Sequence, residues 1–264
     1  MNRAQRVGVG RSSGAILLIA AGFSCGACNE KPAASTAVDV SEAAAAEAEP
    51  AVSGSEGDPD TLEVAAMSDT ESGGVGLLAE AEHILSTMTA TSYAHRTRIE
   101  GGVYDVDCSG FVDYLLGRVS AGALAELRAA TVRRPLAKHF VQFFQALPPS
   151  QHWQRVARVS DLEPGDLIAW LKPADVKSTN TGHVMVVAAR PEPRADGSFV
   201  VPILDSSASP HGKHDVRKGT HTTGIGRGSI ALETDASGAA IAYHWTDWQR
   251  SPRHDTAIML GRLR

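Results

Sequence analysis

YDVDCSGFVDYLL, residues 104–116, sets a cysteine where one sequence pattern gives way to another. Ahead of it the chain is polar and glycine-punctuated. After it Phe111, Val112, Leu115, Leu116 and Val119 recur at helical spacing, and Gly117 and Gly122 mark the end. Asp107 or Cys108 therefore opens a helix. First-turn N–H groups and the helix dipole favour a thiolate at such a position. Ser109 and Gly110 are small, so a substrate carbonyl can come close to the backbone, whose N–H groups can donate to an oxyanion. The competing reading of a cysteine taken alone is a buried structural thiol.

Working outward, Leu77–Met88 has helical spacing, and residues 89–107, with Gly101 and Gly102, read as a loop-like approach. Ala123–Ala130 and Leu136–Leu147 read as two more helices, the second stopped by Pro148 and Pro149. One of Phe140, Phe143 and Phe144 is free to line a groove, because three so close together do not share one face. The period then changes. Strands are expected at Asp166–Leu171, Gly182–Ala189 and Phe199–Ser207, followed by a hairpin around Ala236–Gly238 and a last strand at Thr256–Leu263. Helices first and consecutive strands afterwards argue for an α+β fold, with N-terminal helices packed on a mostly antiparallel sheet.

A nucleophilic thiol needs a base, and the base needs an orienting partner. His183 opens an apolar strand behind Gly182, where a side chain can face a cleft. Asp205 ends the next strand, and an antiparallel neighbour would bring it near His183. Each has a plainer reading, as a strand cap and as a turn-forming residue. His211, His214 and His221, with Asp205 and Asp215 nearby, raise a metal site, but their spacing matches no strong zinc pattern. The loop reads as solvent-exposed surface, with His211 and Arg217 as the candidates to contact substrate, and no metal or organic cofactor is expected.

DVDCSGFVDYLL, PGDLIAW and GHVMVV together resemble the NlpC/P60 family of cell-wall cysteine peptidases. The resemblance implies a circularly permuted papain-like domain that cuts amide bonds of peptidoglycan stem peptides. It implies Cys108 as nucleophile, His183 as base and Asp205 as third member. It also maps Tyr93 to a tyrosine near the oxyanion, with Ser109 in support. An acyltransferase or amidase acting on another substrate, or a non-catalytic envelope lipoprotein, would carry much of the same pattern.

The N-terminus supplies a compartment. Arg3, Arg6 and Arg11 precede the apolar run AILLIAAGF, which is too short to span a bilayer as a helix but suits an export leader. Small residues then precede Cys28, the favoured lipidation site, with Cys25 as the alternative. Residues 29–76 read as a disordered acidic linker: thirteen acids face one lysine between Asn29 and Glu82, with no aromatic residue. The domain of residues 77–264, with inserted helices at about 120–150, is only mildly basic, which argues against nucleic acid as partner. The expectation is a monomeric domain, tied to the membrane through a lipid anchor only (outer membrane favoured) or free in the periplasm.

Overall fold

The computed structural model describes residues 73–219, 222–245 and 251–264. The leader with Cys25 and Cys28, the acidic segment up to residue 72, His221 and Trp248 lie outside the described residues. Helix α1, Gly73–Thr87, starts ahead of the expected Leu77 and buries Leu77, Ala81 and Ile84. The approach to the cysteine is not a loop. It forms a small sheet of β1 (Ala90–Tyr93), β2 (Arg98–Glu100) and β3 (Val103–Val106), in which β1 and β3 run parallel. These strands are short and polar, so no alternation announces them. They are held from outside: Thr91 Oγ1 accepts from the Ile225 N–H at 2.9 Å, and Thr223 Oγ1 accepts from the Tyr93 N–H at 3.0 Å.

Helix α2 is Cys108–Val119, capped by Asp107. Helix α3 is Ala121–Ala130 and α4 is Ala137–Ala146. Phe140, Phe143 and Phe144 are all buried, so the expectation that one lines a groove is corrected. The helix winds all three inward because Phe143 and Phe144 also pack on Trp153, at 5.9 and 5.4 Å between ring centroids.

The large sheet follows. Its strands are β4 (Trp153–Val156), β5 (Leu167–Leu171), β6 (Gly182–Val187), β7 (Glu192–Pro193), β8 (Phe199–Ser207), β9 (Gly224–Thr234), β10 (Ala240–His244), β11 (His254–Asp255) and β12 (Ile258–Leu263). Their order is β11-β10-β9-β8-β6-β5-β12-β4, with β7 paired to β8, and every pair is antiparallel. Strand β4 had no signal beyond four residues; it exists because β12 pairs with it. The chain is thus α+β, with α1, α2 and α4 against an antiparallel sheet.

The apolar run of β6 is buried on both faces. Val184 and Val186 join the helix-side core with Leu204, while Met185 and Val187 join a second core with Ile203 and Trp170. Full burial of each such side chain contributes roughly 1.5–3 kcal/mol. The second core is closed by curling: Trp170 on β5 stacks on Tyr243 of β10 at 4.1 Å, though β6, β8 and β9 lie between them in the sheet.

One break in this sheet positions the site. Strands β6 and β8 pair only at Val186–Leu204 and Val187–Ile203. Beyond that point β6 stays with β5, pairing His183 with Trp170, and β8 stays with β9, pairing Asp205 with Gly226. The two strands part, and α2 packs against both. Ser206 Oγ donates to the Val106 carbonyl at 2.7 Å, which ties β8 to the residues leading into α2.

Candidate active site

Asp107 sets the start of α2. Its Oδ1 accepts from the Gly110 N–H at 2.6 Å and from Ser109 Oγ at 2.9 Å. The first-turn N–H groups of Cys108 and Ser109 are left with no intrahelical acceptor. Cys108 is 5% exposed, but it is not sealed: it lines a cleft of about 360 Å³ with Tyr93, His95, Ser109, Ala137 and Thr181. The Ser109 side chain turns back to Asp107, so its hydroxyl supports the helix start.

Gly182 makes the next placement possible. Its φ is 145°, and a Cβ there would sit 1.8 Å from the Trp170 carbonyl oxygen. Only glycine lets β6 begin so close to β5, and that start aims His183 into the parting of the strands. The Cys108 thiol lies near enough to the His183 ring to act on its charge. Its Nε2 lies 2.6 Å from Asp205 Oδ2, so Nδ1 is the ring nitrogen not engaged by the carboxylate. Burial alone would depress this imidazole, but Cys108 and Asp205 outweigh burial and raise its pKa to about 9. Trp170 and Trp245 flank the ring, with centroids at 5.7 and 5.2 Å.

Asp205 is fully buried. Burial pushes its carboxyl up, yet His211, His183 and Arg217 together hold it well below the usual carboxylate range. Tyr93, across the cleft, has its phenol pushed up, first by burial and then by the charges of Cys108, Asp107 and Asp205. It therefore stays a proton donor.

The sequence thus brought Cys108, His183, Asp205, Tyr93 and Ser109 to one place. It misplaced His211 and Arg217, which are 1% and 2% exposed and turn inward to Asp205, not out to substrate. The loop that carries them reads as polar and glycine-rich in one dimension, and only its docking onto β9 makes it interior. Two neighbours were missed. Arg134 donates to Asp107 Oδ2 at 3.1 Å and to the His95 carbonyl at 3.0 Å, although its segment reads as a solvated basic helix start. Trp245 stands beside His183, and nothing local in the sequence marks it out from the other tryptophans.

His183, Asp205 and His211 each turn one donor atom within 4.8 Å of the others. The nitrogen-to-oxygen separations of 2.6 and 3.0 Å are hydrogen-bond lengths. Ligand atoms around a tetrahedral zinc stand about 3.3 Å apart, and the Arg217 guanidinium already faces the carboxylate. The set fits a hydrogen-bonded network better than a cation site.

No family model and no solved structure matches the chain. A curated viral protein is 32% identical over 179 residues, which take in 60% of this chain and 77% of that protein. At that identity and coverage the two share a common fold and descent, and the chain belongs to the same family as uncharacterized protein R653 of Acanthamoeba polyphaga mimivirus.

Proposed function

We propose that the protein is an NlpC/P60-like cysteine hydrolase that cuts amide bonds, in peptidoglycan stem peptides, by a Cys108–His183–Asp205 mechanism. One observation carries the reading: a thiol at a helix N-terminus lies beside an imidazole whose Nε2 is 2.6 Å from a buried carboxylate. The Cys108 thiolate attacks the amide carbonyl and forms the carbon–sulfur bond. The oxyanion is met by the N–H groups of Cys108 and Ser109 and by the Tyr93 phenol; one such donor is typically worth about 10²–10³ in turnover. The proton on His183 passes to the departing amine as the carbon–nitrogen bond breaks. His183 then takes a proton from water, which hydrolyses the thioester and frees the thiol. Asp205 holds the ring and supports the imidazolium throughout. No metal enters these steps.

The same proposal places the protein in the cell envelope, exported by its leader and held by a lipid on Cys28 or, failing that, Cys25. Purified peptidoglycan digested by the protein and by its Cys108→Ala variant tests the chemistry. Fragments with new amine and carboxyl ends are expected from the first alone. Identical fragment profiles from both, beside a working control hydrolase, would remove the hydrolase reading. Mass spectrometry of the mature N-terminus tests the anchor: a chain processed away from both cysteines would refute it.

A further inference from the structure

The loop between β8 and β9 lies behind Asp205. Gly226 pairs with Asp205 and Gly228 with Ile203 across the two strands. A Cβ on Gly226 would meet Arg217 Nε at 2.5 Å. One on Gly228 would meet the His211 carbonyl at 2.4 Å and an Asp215 oxygen at 2.5 Å. Bare β9 therefore clears a channel, and residues 211–217 occupy it.

Asp215 locks the loop there. Its Oδ2 accepts from the His211 N–H at 2.7 Å, and its Oδ1 accepts from the Arg217 N–H at 2.7 Å and from Nε at 3.0 Å. Arg217 Nη1 donates to the Gly224 carbonyl at 2.9 Å. What remains is aimed at the site. Arg217 Nη2 donates to Asp205 Oδ1 at 2.9 Å, and His211 Nε2 lies 3.0 Å from Asp205 Oδ2. The His211 ring is itself fixed by stacking on Trp245 at 4.6 Å.

We infer that His211 and Arg217 are positioning residues: the loop brings an imidazole and a guanidinium onto Asp205, and so fixes and charges the carboxylate that orients His183. This rests on the Cys108–His183–Asp205 reading. A carboxylate with no exposed surface takes up a proton unless donors and positive charge surround it. The other groups of the cleft do not help. Tyr93 on β1, which feels the charge of Asp205, is itself neutral, and Cys108 and the N-cap Asp107 beside it bring negative charge. Asp215 adds a second buried carboxylate, which Arg217 serves as well. That leaves His183, His211 and Arg217 to keep Asp205 ionised. A neutral Asp205 would hold the ring of His183 without supporting its charge, and the thiolate–imidazolium pair would weaken on the acid side.

The test is the rate of iodoacetamide reaction across pH in the full chain, read at Cys108 by peptide mass spectrometry because Cys25 and Cys28 are also thiols. Wild-type Cys108 is expected to react faster than free cysteine at mildly acidic pH. His211→Leu and Arg217→Met are expected to move the acid limb toward neutrality and to slow the mildly acidic reaction about tenfold, the effect of one pKa unit. His211→Gln, whose amide still donates, is expected to restore the wild-type limb. Circular dichroism establishes which variants fold. If Arg217→Met does not, Asp215→Asn, which slackens the guanidinium without removing it, shows a smaller shift in the same direction. A folded His211→Leu, Arg217→Met or Asp215→Asn with the wild-type profile overturns the positioning role. If wild-type Cys108 reacts no faster than free cysteine, it is the catalytic reading that fails.

Discussion

Two aspartates flank Cys108 and His183, and each is tied to an arginine from a later segment of the chain. Asp107 precedes the thiol and meets Arg134 Nη2 at 3.1 Å; Asp205 follows the imidazole and meets Arg217 Nη2 at 2.9 Å. The chemistry of contact is the same, but the surroundings differ. The Arg134 side chain is 46% exposed over an Asp107 side chain that is 7% exposed, whereas Arg217 is 2% exposed and Asp205 wholly buried. Water screens the first pair and competes for its donors. The second has no solvent to fall back on, so each partner depends on the other. One pair trims the rim of the cleft. The other sets the charge at its back.

The sharpest way to break this contrast is to neutralise each acid in turn. Asp205→Asn is expected to lower turnover about 10⁴-fold, the scale seen when a triad carboxylate becomes an amide. Asp107→Asn keeps an oxygen that caps the helix, and it is expected to stay within about tenfold of wild type. The measurement is hydrolysis of peptidoglycan by both variants at equal concentration. Equal losses would mean that Asp205 is no more than a structural acid.

Next comes stability. Arg217→Met strands Asp205 and Asp215 together without a counter-charge, and is expected to cost about 3–5 kcal/mol. Arg134→Met removes a half-exposed partner and is expected to cost less than about 1 kcal/mol. Urea unfolding at neutral pH compares them. A similar small loss in both would show that the interior around Asp205 admits water.

Titration sharpens the difference further. The folded value of His183, about 9, lies above its ordinary value of about 6.5. Its contribution to stability is therefore complete below about pH 6.5 and lost as pH rises through about 9. Asp205 runs the other way. Its contribution is present above about pH 4 and lost as pH falls through its depressed folded value. Above about pH 9 turnover is expected to fall tenfold per unit, because the imidazolium that protonates the leaving amine disappears. Alkylation of Cys108 is expected not to fall there. An alkaline limb in turnover near pH 6.5 would mean that His183 is not paired with the thiol.

The contrast also separates what the sequence could and could not disclose. Gly182, His183 and the run behind it were legible, because a doubly buried strand and the glycine before it leave a pattern in consecutive residues. Asp107 and Cys108 were legible because a helix start is local. The small sheet β1–β3 was not, since its three- and four-residue strands owe their order to Thr223 and Ile225, far along the chain. His211 and Arg217 were seen as charged and placed on the wrong side. Their burial depends on β9 lacking side chains at Gly226 and Gly228, and no reading of the loop alone contains that. Arg134 reads as a solvated charge in one dimension because its partner, Asp107, is joined to it only by the fold.

The smallest effect belongs to the rim. Asp107→Ala removes the cap from α2, leaving the Gly110 N–H without its acceptor at 2.6 Å and the Ser109 hydroxyl without its own at 2.9 Å. A lost cap of this kind costs about 1 kcal/mol, and the screened contact to Arg134 adds only a fraction of that. Thermal unfolding of Asp107→Ala, Arg134→Met and the double variant isolates the pair, and a coupling below about 1 kcal/mol is expected. A larger coupling would place Arg134 in a drier setting than its exposure implies. The rim would then be a second fixed charge beside Cys108, and the difference between the two aspartates would narrow to their imidazoles, two buried on Asp205 against the exposed His95 at 3.6 Å from Asp107.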